Sequence, residues 1–198
     1  MARPRASDFE EKRASLLASA ASVFAVQGMD RASMAQIAAE AGVSKALLYH
    51  YYPGRGALIF AIIETHLSAL DAAIAAADDP SFPPEQRLES LVRTVLDRYR
   101  GADDAHKVQL NAGPALDEAQ QESLRLIERR IVGRFAAVIR ALRPDLPAHL
   151  VMPATMSLFG MMNWVYMWFR DGGAISRDDY ARLATQIMLG GLGAVAAR

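Results

Sequence analysis

The chain has 198 residues, of which 52% are hydrophobic, enough apolar material for one larger domain or two small ones. Its 22 basic and 22 acidic side chains cancel, so no general attraction to nucleic acid or an anionic membrane is expected, and any nucleic-acid binding must be local. It contains no cysteine, which excludes disulfides and thiolate metal sites and fits a reducing cytoplasm.

The residue pattern predicts an all-helical fold. Ala, Leu, Met, Glu, Gln and Arg dominate, apolar residues recur at spacings of three and four, and strand-type alternation is almost absent. A first helix is predicted over residues 7–27. Ser33 is expected to cap a short second helix that ends at Gly42, and Ser44 to cap a third that runs to about Tyr51.

The apolar pattern lengthens from about residue 55. A fourth helix is predicted from there to the break at "DDPSFPPE". We place a domain boundary at this change, between an N-terminal domain of residues 1–55 and a larger domain of residues 56–198. Further helices are predicted at 84–100, 103–112, 115–143, 147–171 and 176–197.

One apolar segment, residues 150–169, carries no charged residue and is long enough to span a bilayer. It contains Pro153, Gly160 and Asn163, is closely flanked by charges and stands alone, which favours a buried or interface helix. The charged start of the chain is not followed by an apolar run, so it does not have the pattern of a secretory signal. We therefore expect a cytoplasmic protein without a membrane partner.

The stretch "SMAQIAAEAGVSKALLYHYY" has the pattern of a helix-turn-helix, two short capped helices joined by a turn at Gly42. In such a unit the second helix enters the major groove of DNA and the first crosses the backbone. Ser33 and Ser44 stand at helix N-termini, where free amides and the positive end of the helix dipole can hold a phosphate. Lys45 can reach a phosphate or a guanine edge.

Four more side chains of the second helix extend this predicted contact set. Ala46 and Leu47 can touch thymine methyl groups, and Tyr49 and His50 can reach the DNA backbone or the bases. For the two tyrosines at 51–52 we expect packing against the first and fourth helices, with the hydroxyl at the surface, rather than DNA contact.

This stretch resembles the signature of the TetR family of one-component transcriptional regulators, over about residues 10–60. The resemblance implies that Ser33, Lys45, Tyr49, His50 and Arg55 contact DNA. Two departures stand out: Gly56 and Ala57 follow Arg55 where the family often has an acidic residue, and Leu47 replaces the usual Thr, Ser or Ala. The residues that carry the resemblance are Ile37, Ala38, Ala41, Gly42, Val43, Ser44, Lys45, Leu48, Tyr49, His50, Tyr51, Tyr52 and Arg55.

Two further features of the sequence bear on ligands. Arg3 and Arg5 form an N-terminal arm that can enter the minor groove, rest on phosphates, or stay disordered and clear of the DNA. The four histidines show none of the spacings typical of metal ligands, so no metal site is predicted.

The last two helices are the predicted dimer surface. A helix-turn-helix protein usually binds as a dimer, because one recognition helix contacts too few bases for useful specificity. "LFGMMNWVYMWF" is apolar nearly all round, and "LATQIMLGGLGAV" offers small residues that allow close helix approach. In TetR-like proteins these two helices form a four-helix bundle with their mates.

Residues 158–181 resemble a subgroup of TetR-like repressors that sense acyl-coenzyme A thioesters in fatty acid, sterol-ring or phenylacetate catabolism. The pattern is carried by Asn163, Trp164, Trp168, Arg170, Gly173, Ile175 and Ser176. The resemblance implies a CoA thioester as effector and no catalytic cofactor. An apolar slot for the acyl group could be walled by Met156, Phe159, Met162, Trp164, Tyr166 and Met167. Asn163 and Trp168 are either ligand contacts or structural and dimer-forming residues.

The phosphates of CoA would need cations, for which the nominees are Arg93, Arg98, Arg100, Lys107, Arg129, Arg130 and Arg134. The whole sequence therefore predicts a homodimeric repressor that binds a palindromic operator in double-stranded DNA and is released by a small effector. One alternative is a TetR-type regulator of efflux genes that senses a hydrophobic drug-like ligand. Another is a soluble helical enzyme, which the lack of a nucleophile, base and orienting group in a recognisable pattern disfavours.

Overall fold

The computed structural model describes residues 4–112 and 115–195, and the regular structure in these ranges is helical. The all-helical fold class is confirmed. The helices are α1 (Pro4–Gln27), α2 (Met34–Glu40), α3 (Lys45–Tyr51), α4 (Arg55–Ala77), α5 (Pro84–Tyr99), α6 (Asp103–Asn111), α7 (Glu118–Leu142), α8 (Ala148–Asn163), α9 (Val165–Trp168) and α10 (Arg177–Ala194).

The chain divides into two compact units. The first consists of Met1–Leu67 and Gly101–Arg125, and the second of Ser68–Arg100 and Leu126–Arg198. The domain boundary between residues 55 and 56 stays a prediction.

In the first unit, α1 packs against α2 and α6. The core that this packing forms excludes water from Ala20 and Phe24 of α1, Ile37 of α2 and Leu48 of α3. Burying a Leu, Ile or Phe side chain stabilises a fold by about 1.5 to 3 kcal/mol, so these apolar faces suffice to hold short helices that would be marginal alone. The seven-residue helix α2 therefore depends on α1 for its position, and the equally short α3 packs against α2.

In the second unit, α10 packs against α5 and α8. The rings of Phe135 on α7 and Phe159 on α8 meet edge to face, with their centroids 4.9 Å apart. Fully buried aliphatic residues of α5, Leu88, Leu91, Val92 and Val95, complete this core.

The prediction of one continuous helix over residues 147–171 is wrong. α8 ends at Asn163, a separate turn forms α9, and Phe169 already has extended backbone. Asn side chains compete with the backbone for hydrogen bonds and favour helix ends, and here the Tyr99 hydroxyl donates to Asn163 Oδ1 at 2.8 Å. The end of α8 therefore coincides with a bond to a partner that lies 64 residues away in the sequence.

Among the described residues, α4 is the helix that is long and apolar enough to cross a bilayer by length and composition, with a mean hydropathy of 1.6. The segment 150–169 is split between α8, α9 and the turn after them. Of the most apolar 18 residues of α4, 44% are buried inside the fold. Helices in a protein core can have the same length and apolar composition as a membrane span.

A buried cation organises the turn before α10. Arg177 donates from Nε and Nη2 to the two carboxylate oxygens of Asp171, both at 2.9 Å, and from Nη1 to the carbonyl oxygen of Leu96 at 3.1 Å. Its guanidinium also lies 4.9 Å from the centre of the Phe169 ring. The hydrogen bonds from Arg177 hold the pKa of Asp171 below its ordinary value.

Candidate DNA-binding site

Local hydrogen bonds cap the start of α2, and a glycine follows its end. The Ser33 hydroxyl accepts from the backbone amide of Gln36 at 3.2 Å, and the Gln36 side chain accepts from the Ser33 amide at 3.0 Å, which forms a capping box. Gly42 follows with φ +65°, a conformation that glycine adopts without steric cost. This geometry ends α2 and reverses the chain into α3.

α3 is fixed to the core by one face only. Ser44 caps it by accepting from the Leu47 amide at 3.1 Å, and Leu48 in its middle is fully buried. Tyr52, four residues after Leu48, is only 8% exposed, so it packs as expected. The other side chains of α3 are therefore turned toward solvent.

The residues of the helix-turn-helix and of the start of α4 that are predicted to contact DNA are exposed. Lys45 and Tyr49 form one edge of α3, where the lysine ammonium lies 5.8 Å from the centre of the tyrosine ring. DNA contact by each of these residues stays a prediction. The exposed set is Ser33, Ser44, Lys45, Ala46, Leu47, Tyr49, His50 and Arg55.

Tyr51 differs from its neighbour. It is 40% exposed, its ring lies 5.4 Å from the ring of His50, and it lines a surface cavity together with Leu47. Leu47 is 41% exposed on the same edge of α3. The sequence predicts packing for Tyr51 as well as for Tyr52. Leu48 and Tyr52 occupy the one buried face of α3, so Tyr51 stays largely exposed.

Arg55 is engaged within the chain. Its Nη1 donates to the backbone carbonyl oxygen of Asp30 at 2.9 Å, and the Asp30 carboxylate lies 4.0 Å from Nη2. This bond ties the start of α4 to the loop between α1 and α2. Arg3 of the predicted N-terminal arm lies outside the described residues, and so does the side chain of Arg5.

The residues predicted to form the effector slot lie in different environments. Phe159 is 6% exposed and Asn163, bonded to Tyr99, is half-buried. Burial raises the pKa of Tyr99 above its ordinary value, so the phenol stays a donor. Four others are exposed on the single chain: Met156, Trp164, Met167 and Trp168. Their role in binding an effector stays a prediction.

The second unit carries apolar side chains on its surface. On α8, Met152 and Met156 are 50% and 51% exposed, and on α10 Leu183 and Ile187 are 46% and 53% exposed. Each pair has the spacing of four that places residues on one helix face. Exposed apolar patches of this kind mark interaction surfaces.

Most of the cations nominated for CoA phosphates have a carboxylate partner. Asp71, for example, accepts from Arg130 Nε at 2.8 Å and lies 3.8 Å from Arg134 Nε. A nucleotide that used these cations would have to replace such bonds. The other nominees paired in this way are Arg93 with Glu89, Arg100 with Asp97, and Lys107 with Asp104.

Within the described ranges, no group of three or more His, Asp or Glu side chains comes together in a way that could hold a metal ion. The rings of His66 on α4 and His106 on α6 are 6.1 Å apart in the first unit.

Comparison with known proteins identifies both parts of the chain. A family model described as bacterial regulatory proteins of the tetR family matches residues 16–62. A second, described as the tetracyclin repressor-like C-terminal domain, matches residues 81–192. The two matches together cover the helix-turn-helix and most of the second unit.

Individual relatives agree with these matches. The crystal structure of a TetR-family transcriptional regulator from Bordetella parapertussis has a TM-score of 0.85 and 31% identity, over 93% of this chain and 97% of that one. AibR, in a complex with isovaleryl coenzyme A and operator DNA, has a TM-score of 0.76 and 21% identity, over 89% of this chain and 96% of its own. This likeness shows the fold alone.

A curated relative adds a similarity confined to part of the chain. The transcriptional activator FasR from Mycolicibacterium smegmatis is 33% identical over 88 residues, which are 44% of this chain. The match spans 40% of FasR, so it covers less than half of that protein.

Proposed function

The chain belongs to the TetR family of transcriptional regulators, whose members are DNA-binding proteins rather than enzymes, and from this premise we propose that it binds a palindromic operator as a homodimer. The observation that carries the proposal is the outward-facing α3. It is capped at Ser44 and anchored by Leu48, and it presents Lys45, Tyr49 and His50 to solvent. A helix held in this way can enter the major groove without losing any core contact.

The chemistry of the exposed edge suits DNA. Lys45 is a cation for a phosphate or a guanine edge, and the Tyr49 hydroxyl and His50 imidazole are hydrogen-bonding groups for phosphates and bases. Ser33 and Ser44 stand at the starts of α2 and α3, where the first helical amides can face a phosphate. Because the chain has no net charge, this local surface must supply the attraction.

Dimerisation is proposed to use the exposed apolar faces of α8 and α10. Met152 and Met156 on α8, with Leu183 and Ile187 on α10, would be covered by the same residues of the partner in a symmetric interface. The dimer would set the distance between two recognition helices and thereby select half-sites about one helical turn apart.

The effector is proposed to be a CoA thioester. The proposal is supported by the pattern around Asn163, Trp164 and Trp168 and by the fold shared with AibR, which is described in complex with isovaleryl coenzyme A. Phe159 and Met167 would contribute apolar contacts to the acyl group, whereas Met156, predicted for the same slot, is assigned here to the dimer face.

A second candidate is a hydrophobic, drug-like effector without a nucleotide. It is favoured by the ion pairs of the basic residues nominated for CoA phosphates, such as Arg130 and Arg134 with Asp71. A neutral ligand would leave these pairs intact.

Release of DNA is proposed to act through α4, which starts directly after the recognition helix and is bonded to the α1–α2 loop by Arg55. A displacement of its start would therefore move the helix-turn-helix. The effector must bind the two arrangements with different affinity, because otherwise it does not shift the equilibrium between them.

Repression is the proposed direction of control. FasR is described as an activator, so a reporter assay must establish the direction.

The deciding experiment is the selection of an operator from random duplexes with the full chain, followed by affinity measurements across a range of salt concentration. We expect the selected sequence to be palindromic. The logarithm of the affinity should fall with the logarithm of salt concentration, by about 0.9 for each phosphate neutralised. An affinity that does not change with salt contradicts the proposal.

A further inference from the structure

A cavity of about 170 Å³ opens on the surface of the first unit between α1 and α3. Its lining residues include Lys12 and Arg13 of α1, Val43 of the turn, and Leu47 and Tyr51 of α3. Lys12 is exposed, and so are Leu47 and Tyr51. The two basic residues precede residue 16, where the family match begins.

The cavity lies along one edge of the recognition helix. Leu47 and Tyr51 are four residues apart and therefore share this edge, whereas Lys45 and Tyr49 share another. On a helix with 100° between successive residues, the two edges lie on opposite sides of His50, which faces directly away from buried Leu48. A DNA groove that receives α3 would meet both edges.

The lining suits one chemical partner. A nucleic-acid backbone alternates an apolar deoxyribose with an anionic phosphate, and the cavity combines the apolar Leu47, Val43 and Tyr51 ring with the cations of α1. Among the residues whose side chains the structure describes, no ion pair within 4.0 Å joins the Lys12 ammonium to a carboxylate. The Tyr51 hydroxyl adds a hydrogen-bond donor.

We propose that this cavity is a second DNA-backbone site, in which Lys12 and the Tyr51 hydroxyl bind a phosphate while Leu47 packs against the adjoining sugar. The inference rests on the proposed DNA-binding function. It changes the role of Leu47, which the sequence suggested as a contact to a thymine methyl. In the cavity, Leu47 supports affinity for any sequence and does not select a base.

The test removes the cation and the hydroxyl assigned to this site one at a time. Lys12→Gln should weaken binding to the selected operator and to a shuffled duplex by the same factor, about 3- to 10-fold, and should reduce the salt slope by about 1. Arg125→Gln on α7, which removes an exposed cation paired with Glu122 at 3.2 Å, is the control and should change neither quantity. Tyr51→Phe should weaken binding to both duplexes by the same factor.

The outcomes separate this site from the function on which it rests. If the wild-type chain binds its operator with a steep salt dependence while Lys12→Gln equals wild type in affinity and slope, the backbone site is wrong and the DNA-binding function stands. If the wild-type chain shows no salt-dependent binding, the function itself fails. Leu47→Ala gives a further check, because a changed preference at a single base pair would overturn the assignment of Leu47 to the sugar.

Discussion

Gly56 lies so close to Ala115 that a Cβ on the glycine would come within 3.1 Å of the Ala115 carbonyl oxygen. Gly56 is the second residue of α4 and follows Arg55, which is bonded to the loop before α2. Both residues belong to the first unit. The backbone after α6 therefore crowds any larger side chain at this position, which favours glycine over the acidic residue often found there.

Gly56→Ala tests this contact. An alanine in a helix normally gains about 0.5 to 1 kcal/mol over glycine, but at Gly56 the close carbonyl must move, so we expect no gain or a loss of stability. The control is Gly133→Ala on α7, an exposed position with nothing within 4 Å of the added Cβ, which should gain the full amount. Urea unfolding measures both. An equal gain in the two variants would show that the contact at Gly56 has no energetic weight.

Lys45 and Tyr49 should contribute to operator affinity without supporting the fold. We expect Lys45→Ala to cost about 1 to 3 kcal/mol of binding free energy if the lysine reads a guanine, and Tyr49→Phe about 0.5 to 1.5 kcal/mol for one lost hydrogen bond. Both side chains are exposed, so circular dichroism should show an unchanged helix content. Fluorescence anisotropy with the selected operator gives the affinities. Wild-type affinity in both variants would exclude α3 as the recognition helix.

A charge in the exposed face of α8 or α10 should separate the dimer. Met156→Asp and Ile187→Asp place a carboxylate on surfaces that are 51% and 53% exposed in the single chain, so the subunit should still fold. Sedimentation should show monomers, and operator affinity should fall with them. Leu110→Asp on α6, where the leucine is 44% exposed, controls for a surface charge placed elsewhere. A dimer that survives both substitutions would place the interface on another surface.

The pair of Asp171 and Arg177 should make stability depend on pH. The hydrogen bonds from Arg177 lower the pKa of Asp171 in the folded chain, so their contribution is present above the ordinary aspartate pKa of about 3.9 and is lost as pH falls through the lower folded pKa. We therefore expect Asp171→Asn to lower the melting temperature at neutral pH. The difference from wild type should shrink as pH falls below about 4.

The control for this pair is Asp97→Asn, which removes the exposed partner of Arg100 at 3.3 Å. It should have little effect at any pH, because exposed ion pairs contribute little. Thermal unfolding at several pH values measures both variants. A constant difference between wild type and Asp171→Asn across this range would contradict the proposed linkage.

A CoA thioester should release the preformed DNA complex. We expect at least one of phenylacetyl-CoA, isovaleryl-CoA and a long-chain acyl-CoA to dissociate the operator, because the acyl group and the nucleotide would each contribute contacts. Free CoA and the free acids are the controls. If the entire thioester class leaves the complex intact while a hydrophobic, nucleotide-free ligand releases it, the second candidate effector class takes its place.

The helix-turn-helix could be predicted in detail because its determinants are local. Ser33 and Ser44 cap the helices of their own turns, Gly42 supplies its own left-handed backbone, and Ile37 and Leu48 stand at the spacing that buries them. Each of these effects acts over a few residues, so the amino-acid sequence is enough to predict it. The family resemblance and the all-helical fold followed from the same local signals.

Other features depended on contacts between distant parts of the chain. The break of the helix predicted over 147–171 accompanies the bond between Tyr99 and Asn163. The lack of space at Gly56 arises from the backbone at Ala115.

The sequence by itself therefore determined the helices, the turn and the residues that a recognition helix needs, since hydrogen-bond caps and apolar spacing act along the chain. Only the tertiary structure decided that Tyr51 is exposed beside Lys12, and that Arg130 and Arg134 share Asp71. The reason is physical: burial and ion pairing depend on which surfaces meet in space, and that is set by packing between helices far apart in sequence.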